Sequence, residues 1–193
     1  MLKKELKRDI QQSILAKKSL IKISNKIFES IKILTECLKN GNKILICGNG
    51  GSAADAQHLA AEFLVRLRPN VNRKSLPVIS LALDTSTLTA CGNDYSFDKI
   101  FSRPLSAIGN ENDVLISIST SGNSKNIITV LKQAKKQNIK TISLLGQNGG
   151  IAKKFSNLSL ITDSKNVARI QESHIFLGHF IFQKVEENII KIK

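Results

Sequence analysis

From residue 43 onward the chain alternates between short apolar runs and longer stretches of helical period, and that alternation leaves few folds open. KILIC (43–47), PVISLAL (77–83), DVLISIS (113–119), IKTISLL (139–145) and LSLIT (158–162) read as strands. Helical spacing fills the gaps at 52–67, at 85–91 and 97–107, at 123–138, briefly at GIAKKF, and from about 167 to 191. A strand apolar along its whole length has to be covered on both faces. Strands separated by helices run parallel, because each connection crosses over the sheet. The predicted architecture is therefore α/β, a three-layer αβα sandwich around a central parallel sheet of about five strands. In such sheets ligands bind at the carboxyl ends of strands, where the chain switches direction.

Residues 2–39 precede the alternation and place apolar side chains at Leu2, Leu6, Ile10 and Ile14, then Ile23, Ile27, Phe28, Ile31, Leu34 and Leu38. That spacing is helical, bent or interrupted near 17–22, and it stops at Asn40-Gly41, a C-terminal helix signal. Residues 1–40 thus read as a helical arm with an apolar stripe and no sheet of its own to cover. It is expected to pack on the domain or on another subunit. With 193 residues and no linker-like stretch, the chain reads as one domain, 1–193. RLRPNVNRKSLP (66–77) is the longest irregular segment and reads as a surface loop.

Composition excludes several classes. No run of about 18 apolar residues occurs, so no membrane span is expected. The basic start, MLKKELKRDIQQ, turns amphipathic and lacks the apolar stretch of a secretory signal. Cys37, Cys47 and Cys91 are odd in number and form no CxxC pair. That argues against a disulfide framework and a cysteine zinc site, and fits a cytoplasmic setting. The net charge of +14 comes from 29 Lys+Arg against 15 Asp+Glu, and it suits anionic sugar phosphates. Nucleic acid is the less favoured partner, because the lysines scatter over solvent-facing helix positions. One Tyr and no Trp leave few stacking platforms.

Chemistry concentrates in CGNGGSAADAQHLAAE (47–62). Its glycines let backbone amides approach an anion or a sugar at a helix N-terminus. A dinucleotide turn would expect an acidic residue about 20 positions on, and the nearest here, Asp84, is more than 30 away. STSGNS (119–124) follows a strand and offers Ser119, Thr120, Ser121 and Ser124 around Gly122. Four hydroxyls exceed what a helix cap requires and suit a phosphate cradle, with no Walker-type lysine. His58 and Glu62 stand one helical turn apart, and Gln171 and His179 two turns apart on the last helix. Together these four could ligate a divalent metal, or Glu62 and His179 could be two bases acting across a carbon–carbon unit. His174 reads as a satisfied structural histidine. Asn93-Asp94 reads as a turn pair, or as a contact to a substrate hydroxyl.

CGNGGSAADAQHLAAE, CGNDYSFDKIFSR, NDVLISISTSGNS and ARIQESHIFLGH, in that order, resemble the phosphoheptose isomerases, a branch of the sugar isomerase (SIS) domain family. The resemblance spans about residues 30–190. It implies the SIS fold and an aldose–ketose isomerisation of D-sedoheptulose 7-phosphate to D-glycero-D-manno-heptose 7-phosphate through an enediol. That step begins heptose precursor synthesis for lipopolysaccharide or capsule. By the same resemblance Ser119, Thr120, Ser121 and Ser124 hold phosphate, while Asn49, Gly50, Gly51, Ser52, Asn93, Asp94 and Gln171 contact substrate. Glu62 and His179 are the implied acid–base pair, and His58, Glu62, Gln171 and His179 the implied zinc ligands. A homotetramer is implied as well, with the arm in its contacts. Some family members carry an acid just before RIQ, where this chain has Ala168. The alternative is a non-catalytic SIS protein that binds the replication initiator, a relative lacking the full acid–base and metal set that this chain carries.

Overall fold

The computed structural model describes residues 1–190. Strands β1 (Ile44–Gly48), β2 (Val78–Ser80), β3 (Val114–Ser119), β4 (Lys140–Gly146) and β5 (Leu158–Thr162) form a parallel sheet in the order β2-β1-β3-β4-β5. Ile44 of β1 pairs with Val78 on one side and Val114 on the other. The strand order reverses between β1 and β3, so the carboxyl ends of these two neighbours flank the switch-point crevice.

Among the described residues seven α-helices accompany the sheet: α1 (Leu2–Ser19), α2 (Ser24–Lys39), α3 (Gly51–Leu64), α4 (Thr85–Asp94), α5 (Ser102–Ile108), α6 (Lys125–Lys136) and α7 (Val167–Ile190). The pleat sends Ile44, Ile46, Ile116, Ile118, Ile142 and Leu144 to one face, against Leu34 of α2, Leu59 and Phe63 of α3, and Leu177 and Phe182 of α7. Leu45, Cys47, Leu115 and Leu145 face the other way, onto Leu105 of α5 and Ile127, Val130 and Leu131 of α6. Two apolar clusters on one sheet make the three layers that the strand composition predicts.

The differences from the sequence reading have local causes. Helix α3 ends at Leu64 rather than 67, because Arg73 takes the carbonyls of Glu62 and Phe63 that a further turn would use. Strand β2 has three residues rather than seven. After it, Ala82 N turns back onto Ser80 Oγ, and Asp84 caps α4 through the Ser86 and Thr87 amides. The 66–77 loop is less superficial than expected, since the Arg73 side chain is buried. Position 191, the expected end of the last helix, lies outside the described residues.

A 3-10 turn at Leu20–Ile23 supplies the bend in the arm. Helix α1 is fastened to α7 by polar groups: Ser13 Oγ donates to Glu172 Oε2 at 2.7 Å, and Arg169 Nη1 to the Asp9 carbonyl at 2.9 Å. Leu2, Leu6, Ile10 and Ile14 stay exposed. The three cysteines are buried and free. No helix among the described residues is long and apolar enough to cross a membrane.

Candidate active site

Strand β1 runs almost directly into α3. Gly50 takes a φ of +56°, and the Asn49 and Gly50 carbonyls accept from the Ser52 and Ala53 amides at 3.0 Å each. A Cβ on Gly48 would stand 2.5 Å from the Ser52 carbonyl oxygen, so only glycine permits the turn. Helix α7 then lies along α3. Gln171 sits on Gly51, where an added Cβ would come 2.7 Å from its Nε2. Further along, the Phe63 and Phe182 rings pack with centroids 4.1 Å apart.

Between these contacts the two helices bring His58, Glu62 and His179 together. The Nε2 atoms of the histidines are 2.9 Å apart, and each lies 3.2 Å from Glu62 Oε1. Among the described residues, Glu62 Oε2 is buried with no hydrogen-bond partner. The imidazoles are about half exposed, 54% for His58 and 45% for His179, whereas the Glu62 side chain is 15% exposed. Three ligand-capable atoms converging from two rigid helices, one on a carboxylate with an orphaned second oxygen, suit a divalent metal bound by nitrogen and oxygen. Asp55 was not singled out from sequence. It lies one turn before His58, a spacing that could have flagged it. Burial pushes the Asp55 carboxyl up, and His58 and His179 pull it partly back.

The STSGNS loop leaves β3 next to the glycine turn. Ser119 Oγ accepts from the Gly122 amide, and Ser121 Oγ from the Asn123 amide. Gly122, at φ +65°, packs so tightly on Gly149 that a Cβ would lie 2.1 Å from its carbonyl oxygen. Ser124 occupies the N-cap of α6 without making a side-chain cap bond. An ordinary cap therefore does not account for its hydroxyl. Asn49 and Asn126 exchange amide hydrogen bonds of 2.9 and 2.7 Å, which tie the glycine turn to the start of α6. The Asn49 side chain is thereby committed, and what it offers a ligand is backbone. Asn126, buried, was missed because an amide early in a helix reads as capping. Ser52 is buried as well. Asn93 donates to Asp94 at 2.9 Å on the exposed end of α4, and among the described residues neither bonds to the triad.

His174 is fully buried, as a structural histidine should be, but it is not satisfied. Among the described residues neither ring nitrogen makes a well-formed hydrogen bond, and its one polar contact, with the Leu145 backbone, falls short of one. Burial pulls its pKa down to about 4, opposed weakly by the Leu145 backbone.

This fold and site define a class: a parallel α/β sandwich of switch-point type with a hydroxyl-rich loop at the end of β3 and a His–Glu–His cluster between α3 and α7. The SIS domain family matches residues 11–146. Phosphoheptose isomerase of Clostridium acetobutylicum is 45% identical over 97% of this chain and 96% of its own length. The structure of phosphoheptose isomerase from Neisseria gonorrhoeae matches with a TM-score of 0.90 at 39% identity, covering 97% of this chain and all of that one (100%). That of Francisella tularensis matches at 0.92 and 34% identity, covering 97% and 99%. The chain belongs to the phosphoheptose isomerase family of SIS-domain proteins.

Proposed function

We propose that the chain interconverts D-sedoheptulose 7-phosphate and D-glycero-D-manno-heptose 7-phosphate, an intramolecular aldose–ketose isomerisation. The observation that carries this reading is the meeting of Glu62 and His179 between α3 and α7, α3 starting from the switch-point glycine turn that Asn49 and Asn126 tie to the helix after STSGNS. In the ketose-to-aldose direction a proton leaves C1 and one reaches O2, giving the enediol. A proton then leaves O1 and one reaches C2, so protons balance. Glu62 and His179 are the acid–base pair for this traffic. Ser119, Thr120, Ser121 and Ser124 take the 7-phosphate. Asn49, Gly50, Gly51, Ser52, Asn93, Asp94 and Gln171 line the sugar.

His58, Glu62, Gln171 and His179 are assigned as ligands of one zinc ion per subunit, which would polarise the substrate's carbonyl and hydroxyl oxygens. A carboxylate bound to metal is a weaker base. The two Glu62 oxygens offer a division of labour: Oε1 faces both histidines, and Oε2 carries no hydrogen bond among the described residues. Ala168 stands where some family members carry an acid before RIQ, so under this reading that acid is not essential here or its job has moved to another residue.

The whole chain, 1–193, is read as one domain, with the arm of residues 1–40 used in contacts of a homotetramer; its exposed apolar stripe supports this. The enzyme is placed in the cytoplasm, at the first step towards heptose for lipopolysaccharide or capsule. No observation favours the replication-initiator alternative. The test is NMR of purified protein with sedoheptulose 7-phosphate, with and without zinc, alongside Glu62→Gln. Turnover that Glu62→Gln abolishes, with fold and phosphate binding intact, is expected. No turnover on any ketose phosphate overturns the function, and an unaltered rate in the variant overturns the acid–base assignment.

A further inference from the structure

Helix α3 stops two residues after Glu62 because of an arginine that reaches back from the following loop. Arg73 Nη2 donates to the Glu62 carbonyl at 2.8 Å, and Nη1 to the carbonyls of Phe63 at 2.9 Å and Lys74 at 3.0 Å. Its Nε donates to Glu186 Oε1 on α7 at 2.6 Å, while Arg68 Nε holds Glu186 Oε2 at 2.7 Å. The Arg73 guanidinium lies over the Phe63 ring, 5.4 Å from its centroid. Glu186 is fully buried, and the Arg73 side chain is 6% exposed. Glu186 follows His179 by about two helical turns, so the two project from the same side of α7. One planar group thus joins the backbone of Glu62 to the helix that carries His179.

Stability alone does not call for such an arrangement. A buried ion pair can often be replaced by apolar residues of similar volume at little or no loss. What a forked guanidinium supplies, and a hydrophobic pair does not, is a fixed geometry with several acceptors at once. Acid–base catalysis is sensitive to that geometry, since a misplacement of about 1 Å costs on the order of a hundredfold in rate.

We propose that Arg73 and Glu186 are positioning residues for the isomerisation, a clamp that sets the Glu62 carboxylate against His179. The proposal rests on the acid–base reading of that pair. Its test is the double variant Arg73→Met/Glu186→Met, which removes both charges together and leaves neither buried alone. Melting within a few degrees of the parent is expected, with KM for sedoheptulose 7-phosphate within about twofold and kcat lowered at least about tenfold. Zinc affinity of the metal-free double variant, measured by competition with a chromophoric chelator, is expected to weaken at least about tenfold. Arg73→Lys keeps the charge for Glu186 but loses the fork, and kcat is expected to fall there too. It decides the matter if the double variant does not fold. Unchanged kcat in either folded variant overturns the clamp, whatever the zinc affinity. So does a loss that merely follows the unfolded fraction. Glu62→Gln, assayed in parallel, separates the two readings. Full activity there removes the acid–base assignment, whereas inactivity there beside fully active Arg73 variants removes the clamp alone.

Discussion

Gly178 of α7 lies so close to Leu59 of α3 that a Cβ on Gly178 would stand 2.6 Å from Leu59 Cδ1 and 2.7 Å from Cδ2. Gly178 immediately precedes His179, and Leu59 immediately follows His58. The two helices therefore pack closely at the level of the two imidazoles, whose Nε2 atoms are 2.9 Å apart. Helix spacing and site geometry are one quantity here.

Gly178→Ala is expected to force the helices apart. Leu59 is 1% exposed, so its side chain yields only by displacing packed neighbours. Overpacking of this kind costs about 1–3 kcal/mol. The larger effect should be on kcat, lowered about tenfold or more as His179 moves from Glu62. Adding Leu59→Ala removes the obstructing methyls, so thermal melts and kcat of the double variant should recover part of both losses. A single variant with parental kcat would separate helix spacing from activity.

Gly122→Ala probes the proposed phosphate loop. Its φ of +65° is costly for alanine, and the new Cβ would meet a backbone oxygen, that of Gly149, at 2.1 Å. Backbone cannot yield as a side-chain tip can, so the STSGNS loop itself must shift. We expect KM for the phosphorylated substrate to rise at least about tenfold, and inorganic phosphate to inhibit correspondingly less. Steady-state kinetics with phosphate as competitor measure both.

The metal reading carries its own thermodynamic signature. A ligand that binds only the folded state stabilises it, by about 2.7 kcal/mol at a hundred times its dissociation constant. Added zinc should raise the melting temperature of chelator-treated protein, bind at about one ion per chain, and restore activity. In His58→Ala that increment should shrink or vanish, because one of the four proposed ligands, and one of the three side chains that converge, is gone. An equal zinc-dependent shift in parent and variant would remove His58 from the ligand set.

What the sequence made legible follows from locality. β1, β3 and β4 stand out because both their faces are covered, which writes continuous apolar runs such as ILIC and VLISIS. His58 and Glu62 are legible because four residues make one helical turn. Gly178 and Arg73 are not. The need for glycine at 178 lies in Leu59, more than a hundred residues earlier, and the end of α3 lies in a guanidinium from an irregular loop. Asn126 escaped for the same reason, since its partner Asn49 sits on another strand's turn. Position in the fold, not residue type, gives these their meaning.

His174 yields a prediction about pH with a definite sign. Its ring is buried without a well-formed hydrogen bond among the described residues, and its pKa falls from the ordinary 6.5 to about 4. The folded protein thus holds a neutral imidazole that the unfolded chain protonates more readily. Above pH 6.5 neither state binds this proton, and the contribution to stability is fully present. As pH falls from 6.5 towards 4 the unfolded state gains the proton first, so stability declines. At about 1.4 kcal/mol per pKa unit, the decline is on the order of 3 kcal/mol. His174→Phe keeps the space filled and has nothing to titrate. Urea unfolding of the metal-free proteins at pH 7 and pH 4.5 should show the variant losing less stability than the parent over that interval. Carboxylates such as Asp55 titrate in both proteins and cancel in the comparison. Equal losses would mean that the contact with the Leu145 backbone offsets burial and keeps the folded imidazole near its ordinary pKa.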